Sequence, residues 1–440
     1  MSDERPWAGR RLHLIGIGGA GMSGLARVAI ALGAEVSGSD RADSPALAAL
    51  RELGATVHVG HRAEQVPEGA EVVFSSAVAA DNPERRPGEL HRADLLAEIT
   101  ALRRCIAVAG THGKTTTTSM VVHALRGCGL DPGYLVGGDV RLPGAPGSGA
   151  NAGWGAGEWV VVEADESDRS LLKLHPDVAV LTNAELDHHA TYASQQDVEE
   201  TFWSFLGRAT EAAVVWDRVR QLAPGGIEVV PFDAHEPELT PSGSRFGWRD
   251  IEVHLPIPGA HNVLNALAAL EACRLAGADP AAAAAALADF PGAGRRFELL
   301  GTTTGGATVY DDYAHHPTEV AATLAAARTL NPPRVVAVFQ PHLYSRTREL
   351  ADRFGAALAA ADVVAVLDVY PSRERADDFP GVRGKGIADA AADAAGGRTV
   401  AWLPSFEDAE RFLRAALRPG DLCLTIGAGD VDALGRRLLA

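Results

Sequence analysis

At 440 residues, 47% hydrophobic and 22% charged, the chain has the length of two or three globular domains, each with its own core. A formal net charge of −17 argues against general nucleic-acid binding, and no apolar run reaches the roughly 18 residues a transmembrane helix needs. The opening stretch MSDERPWAGRR has no apolar signal core, and Cys105, Cys128, Cys273 and Cys423 are scattered without metal-ligand spacing, so a cytoplasmic protein with reduced core thiols is expected.

In chain order, Leu12 to Ile17 reads as a short strand that runs into Gly16, Gly18, Gly19, Gly21 and Gly24. A helix follows from about Ser23 to Leu32, and a second strand ends at Ser39-Asp40. Gly16-Ile17-Gly18-Gly19-Ala20-Gly21 has GxGxxG spacing. Glycines there let the backbone approach a diphosphate, and an acid about 20 residues on suits a ribose hydroxyl. NAD and a UDP-sugar both satisfy this pattern; a bare packing turn is the third reading, and five glycines in nine residues weigh against it. Val72 to Phe74 is a further strand, ending in Ser75-Ser76-Ala77, where small residues suit a ligand at the carboxyl edge of a sheet. Asn82-Pro83 marks a turn, and a small doubly wound domain is expected over 1–103.

Residues 105–118 read CIAVAGTHGKTTTT. Ile106 to Ala109 is a buried-strand pattern, Gly110 breaks it, and a helix is expected over Ser119 to Leu125. Strand, glycine turn, Lys-Thr and helix together form a phosphate cradle: backbone N–H groups close on the anion and the helix start adds its positive dipole end. Lys114 would neutralise terminal phosphates and the Thr115 hydroxyl would ligate Mg²⁺. The longer P-loop pattern would place glycine at Val108, so what stands here is the shorter GxxGKT; an ordinary glycine turn with a surface lysine is the competing reading.

Val160 to Val162 leads into Glu163-Ala164-Asp165-Glu166-Ser167-Asp168, and four carboxylates in six residues repel unless a cation joins them. Magnesium is the economical choice, with Glu163 the best-placed ligand, against a solvated acidic turn. Val178 to Leu181 ends in TNAELDHH, which suggests a second metal or phosphate contact; Mg²⁺ fits better than zinc because Cys ligands are absent. Pro258 to Ala266 is a turn into a helix, with Asn262 and Asn265 on one face, able to read a purine edge. Capping is the plainer role for Asn262. Pro291 to Gly294 reads as a linker, which divides a central domain (104–292) from a last domain (293–440). There, strands at Val309–Tyr310, Val335–Phe339, Val363–Leu367 and Leu422–Ile426 end in polar, aromatic and basic residues, and Arg346, Arg348 and Arg373 are candidates to hold a carboxylate, with surface ion pairing the alternative for each.

The order glycine-rich turn, GTHGKTTTT, EADESD, NAELDHH, HNVLNA, RRFE, DDYAHHP, FQPHLYSRTR, GAGD resembles the Mur ligase superfamily over essentially the whole chain, and within it the branch that joins L-alanine to UDP-N-acetylmuramate. The resemblance implies an α/β protein of three domains: a Rossmann-like UDP-sugar domain, a P-loop ATPase-like domain and a Rossmann-like amino-acid domain that closes over ATP. It implies ATP and Mg²⁺ as cofactors, UDP-N-acetylmuramate and L-alanine as partners, no nucleic acid or membrane, and a monomer or weak homodimer. Gly16, Gly18, Gly19, Ala20 and Gly21 would hold the diphosphate, with Asp40, Ser75, Ser76 and Ala77 near uridine or ribose. Gly110, Thr111, His112, Gly113, Lys114, Thr115 and Thr116 would bind ATP phosphates, Asn262 and Asn265 its adenine, and Arg296 and Asp312 would also belong to the ATP site. Thr115, Glu163 and His188 would be metal ligands, with Lys114, Glu163 and His188 the catalytic set. His315, His316, His342, Tyr344 and Arg346 would face the incoming amino acid. The chain departs from the family at Leu343, where a basic residue is expected, and at Thr201 to Arg208, which holds no lysine where related ligases carry a carbamylated one. A murein tripeptide recycling ligase, an NAD-dependent oxidoreductase resting on GxGxxG alone, and a non-catalytic nucleotide-binding regulator are the competing readings.

Overall fold

The computed structural model describes residues 5–140 and 150–440. Its contacts gather into two compact units. The first holds the described residues up to Ala184 together with Gln196–Asp233 and Asn265–Ala286; the second holds Glu185–Gln195, Ala234–Leu264 and Leu287–Ala440.

The first unit contains two sheets. One is all parallel, from β1 (Arg11–Ile15), β2 (Glu35–Asp40), β3 (Thr56–Val59), β4 (Glu71–Phe74) and β5 (Leu90–His91), in the order β3-β2-β1-β4-β5. Its helices are α1 (Ala20–Ala31), α2 (Pro45–Glu52) and α3 (Arg92–Thr100). The chain winds outward from β1 through β2 and β3, then returns to β1's other side at β4. That reversal opens a crevice at the carboxyl end of β1, where the first glycine turn lies.

The other sheet runs β12-β11-β10-β6-β9-β7-β8. It is built from β6 (Arg104–Ala109), β7 (Gly133–Val140), β8 (Ala150–Gly153), β9 (Trp159–Glu163), β10 (Val178–Leu181), β11 (Ala212–Trp216) and β12 (Glu228–Phe232), with α4 (Lys114–Gly127) and α5 (Gln195–Leu206) between them. Only β8 is antiparallel to its neighbour. β6 sits between β9 and β10, so the sheet reverses direction where the second glycine loop leaves β6. Cys105 to Ala109 are all buried, as a strand covered on both faces must be.

In the second unit β13 (Glu238–Thr240), β14 (Gly243–Trp248) and β15 (Ile251–Leu255) form a small antiparallel sheet. α6 (Ala260–Leu275) spans the division, which falls after Leu264, and α7 (Pro280–Leu287) follows. A six-stranded sheet runs β16-β17-β21-β18-β19-β20. Its strands are β16 (Glu298–Thr302), β17 (Thr308–Asp312), β18 (Val335–Phe339), β19 (Val363–Val366), β20 (Thr399–Trp402) and β21 (Leu422–Ile426). Around it stand α8 (Pro317–Thr329), α9 (Tyr344–Leu358), α10 (Gly384–Ala394), α11 (Phe406–Ala416) and α12 (Val431–Leu439). Its core packs Val320, Leu324, Phe339, Phe354 and Leu424.

Two helix starts differ from expectation. α1 begins at Ala20 rather than near Ser23, and α4 begins at Lys114 rather than Ser119. The Thr115–Thr118 run has weak helix propensity, yet all four side chains are buried, and packing overrides the β-branched preference. Strands β11 to β15 were not foreseen.

Candidate functional site

The loop after β6 is held by its glycines and by the end of β10. Gly110 has φ 138°, and a Cβ there would collide with the Thr182 hydroxyl. The Asn183 side chain clamps the loop in both directions: its Oδ1 accepts from His112 N at 2.9 Å and its Nδ2 donates to His112 O at 2.9 Å. Thr182 Oγ1 adds a 2.6 Å bond to the same carbonyl. Gly113, at φ 82°, is the N-cap of α4, and a Cβ on it would run into the Asn265 side chain. The first N–H groups of α4 therefore open onto the loop as an anion cradle.

Lys114 lies inside this loop. Its Nζ donates to Gly110 O at 2.7 Å, Thr111 O at 3.1 Å and Glu166 Oε1 at 2.9 Å. Burial works against its charge, but Glu166, Glu163 and Asp165 more than offset it, and the ammonium's pKa is raised. Thr115 Oγ1 donates to Glu163 Oε1 at 3.2 Å, and Glu163 Oε2 accepts from Gly137 N at 2.8 Å. A carboxylate and a hydroxyl side by side at a strand end are hard oxygen donors of the kind Mg²⁺ takes, so this pair fits the ion the sequence implied.

The acidic stretch after β9, for which magnesium was the economical cation, is neutralised in large part by side chains. Lys114 pairs with Glu166, while Arg92 Nη2 reaches Asp165 at 2.8 Å and Asp168 at 3.1 Å. Burial would raise the Asp165 pKa, but Arg92 and Lys114 hold it below the usual carboxylate range. Among the described residues, Glu163 alone of the four has no cation in hydrogen-bond contact. Ser76, expected near the nucleoside, donates from Oγ to Asp168 at 2.6 Å.

At the first glycine turn, the N–H groups of Gly16 and Ile17 donate to Ser39 O at 2.8 and 3.0 Å. Gly18 N donates to Asp40 Oδ2 at 2.9 Å. Asp40 thus fastens the turn from β2. Gly19 is the N-cap of α1, and Ala20 O accepts from Asn151 of β8. Ser75 O accepts from Val78 N at 2.9 Å, closing a turn in which Ser76 and Ala77 are exposed.

In the second unit, Arg346 corrects an expectation. Its guanidinium does hold a carboxylate two-fold, but that of Asp187, with Nε and Nη2 each 2.9 Å from an oxygen and both partners buried. Burial opposes ionisation of Asp187, yet Arg346 and His188 keep it well below the carboxylate range. His188 has φ 52°, and its N–H donates to Asp187 Oδ1 at 2.7 Å. His342 stacks on Tyr370, with ring centroids 5.9 Å apart, and approaches Arg346 Nη1 at 3.2 Å. Burial, with His315 and Arg346 nearby, pushes the His342 pKa down to about 3; burial pushes His315 down to about 4. Leu343 is buried at the N-cap of α9 with φ 69°, and Tyr344 stacks on Phe379. His316 caps α8 through a capping box with Glu319. Asp312 accepts from Phe297 N at 2.8 Å and Ala314 N at 2.7 Å, and burial raises its pKa to about 6. Arg296 lies 3.8 Å from Glu319 and over the Tyr313 ring. Asn262 Nδ2 donates to Pro258 O at 2.7 Å, a local bond to a carbonyl rather than the helix cap of its plainer reading.

Family models match three consecutive segments: the Mur ligase family catalytic domain over residues 11–104, the Mur ligase middle domain over 108–273, and the Mur ligase glutamate ligase domain over 295–429. The chain belongs to the Mur ligase family. A Streptomyces avermitilis protein named UDP-N-acetylmuramate–L-alanine ligase is 44% identical, covering 100% of this chain and 99% of its own. The crystal structure of the UDP-N-acetylmuramate–alanine ligase of Thermotoga maritima matches with a TM-score of 0.81 at 29% identity, covering 97% of this chain and 98% of that one. A murein peptide ligase of Psychrobacter arcticus matches with a TM-score of 0.72 at 25% identity, covering 98% of each.

The oxidoreductase reading of GxGxxG falls with this assignment, and the glycine turn belongs to a Mur ligase. Sequence reasoning found the loop and the acidic stretch of this Mur ligase but missed the Asn183 clamp, the pairing of Glu166 with Lys114, and Arg92. Asn183 stood in the quoted TNAELDHH stretch; its clamp on a loop 71 positions earlier has no local signal. Arg92 opens a short helix and carries no sequence mark at all.

Proposed function

We propose that this Mur ligase couples ATP cleavage to amide-bond formation between L-alanine and the lactyl carboxylate of UDP-N-acetylmuramate. The observation that carries this reading is the loop Gly110–Thr116, with the Lys114 ammonium folded inside it and Thr115 joined to Glu163 at its mouth. Whole-length similarity to ligases named for this reaction supports it further. In the proposed chemistry the lactyl carboxylate attacks the γ-phosphorus, ADP departs, and an acyl phosphate forms. The alanine amine then attacks the acyl carbon, phosphate leaves from the tetrahedral adduct, and the amine gives up a proton as the amide forms. Phosphorylation is needed because a carboxylate is a poor electrophile. The α4 N–H groups and Lys114 would hold the phosphates and lower the repulsion between two approaching anions. Glu163 and Thr115 would hold Mg²⁺, which supplies further charge neutralisation when bound. In the second unit, His188 is the proposed further metal ligand, and His315, His342 and Tyr344 the proposed amino-acid neighbours. The reaction belongs to the cytoplasm and to peptidoglycan precursor synthesis, with a monomer or weak homodimer as the working form.

The test is phosphate release with ATP and UDP-N-acetylmuramate plus L-alanine, glycine, L-serine or the L-Ala-γ-D-Glu-diaminopimelate tripeptide, each in turn. Release should require both nucleotides and be fastest with L-alanine. Lys114→Ala should reduce release at least about a hundredfold while UDP-N-acetylmuramate still binds. Turnover with the tripeptide alone would replace this reading with the recycling ligase, and loss of sugar-nucleotide binding in Lys114→Ala with ATPase intact would contradict the division of roles.

A further inference from the structure

A cavity of about 210 Å³ in the first unit lies between the start of α1 and the acidic end of β9. Gly21 and Gly24 of α1 line it on one side, Glu163 and Asp165 at the end of β9 on another, and leucines of α3 and β7 fill in the walls. Arg92, at the first position of α3, is the one cation among the described residues that line it. Its two ion pairs, to Asp165 and Asp168, both use Nη2. Nη1 makes no hydrogen bond to the protein among the described residues and packs over the glycine helix, 3.5 Å from where a Cβ on Gly21 would stand. The guanidinium is thus anchored on one nitrogen and presents the other. Lys114, the nearest other cation of the acidic stretch, is spent on two loop carbonyls and Glu166.

An anion entering this cavity meets Glu163 and Asp165. Without a cation it would be repelled, and the spare donor of Arg92 is what the walls offer it. We propose that Arg92 receives the lactyl carboxylate of the sugar nucleotide through Nη1 and so selects for a substrate that carries that acid. This rests on the function proposed above. Arg92 Nη1 lies over the glycine turn, so a diphosphate oxygen is the competing anion, and the experiment separates the two.

Affinity for UDP-N-acetylmuramate and for UDP-N-acetylglucosamine is measured by calorimetry for the native chain, Arg92→Gln and Arg92→Lys. The two ligands share uridine, diphosphate and hexosamine, and only the first has the carboxylate. Arg92→Gln should weaken UDP-N-acetylmuramate roughly ten- to a hundredfold and leave UDP-N-acetylglucosamine unchanged. The KM for UDP-N-acetylmuramate should rise while that for ATP stays within about twofold. Arg92→Lys keeps the charge on Asp165 but loses the fork, and should lie between the native chain and Arg92→Gln; if Arg92→Gln does not fold, this variant carries the same comparison. Equal weakening of both nucleotides overturns the proposal in favour of a diphosphate contact. Unchanged affinity for both overturns it in favour of a purely structural ion pair. A native chain that binds neither nucleotide fails the functional reading itself, which is a separate outcome.

Discussion

At the scale of single residues, the charged groups are sorted by partner. Lys114 takes Glu166, Arg92 takes Asp165 and Asp168, and Arg346 takes Asp187, while Glu163 keeps a hydroxyl and a backbone N–H. The Asp187–Arg346 pair is the most deeply buried of these, each side chain about 3% exposed. Removing one partner strands the other charge away from water. Asp187→Ala should therefore cost about 3–5 kcal/mol in urea unfolding, and the double change with Arg346→Met should recover most of it. Additive losses in the double variant would contradict the coupling. Residue types were legible in the sequence here, since GKT, EADESD and DHH announced a lysine and clustered acids and histidines just past strand ends. The pairings were not, because Arg92 and Asp165 stand 73 positions apart and Arg346 and Asp187 stand 159 apart.

At the scale of elements, both glycine turns follow the same rule: a parallel strand ends, a glycine with positive φ turns the chain, and a helix N-terminus opens beside it. Their tolerance differs. Gly16 has φ 74° and open space where a Cβ would go, whereas Gly113 has φ 82° and the Asn265 side chain in that space. Gly16→Ala should cost only the left-handed strain, about 1–2 kcal/mol, with the turn preserved. Gly113→Ala adds a steric collision, so the KM for ATP should rise more than about tenfold while sugar-nucleotide affinity holds. Equal behaviour of the two variants would count against the packing argument. The early start of α4 also belongs here: four buried threonines are helical because burial outweighs their β-branched stiffness, and a local propensity argument starts the helix too late.

For the molecule as a whole, buried histidines are one source of acid lability. Burial keeps the His315 pKa at about 4, with Glu319, Arg346 and Asp187 around it. His342, at about 3, faces His315, Arg346, Arg373 and Asp187. In the unfolded chain both would titrate near 6.5. Between those values the unfolded state binds the proton and the native state does not, so their stabilising effect is complete above about pH 6.5 and is lost as pH falls through the folded pKa. By pH 5 each should cost about 2 kcal/mol. Urea midpoints measured at pH 7.5 and 5.0 should drop for the native chain, and His342→Gln should flatten that drop. An unaltered pH dependence in His342→Gln would argue that other groups govern acid lability.

The strands that lead into the glycine turns and the acidic stretch, both glycine turns and family membership were legible in the sequence alone, because apolar runs and glycine spacing are properties of a few adjacent residues. The tertiary structure decided which cation answers which carboxylate, and it brought Asn183 onto the Gly110–Thr116 loop and Arg92 onto the cavity wall. It also gave Arg346's fork to Asp187. Each of these depends on residues distant in the chain meeting where water is excluded, and there an unpaired charge is costly enough to dictate its partner.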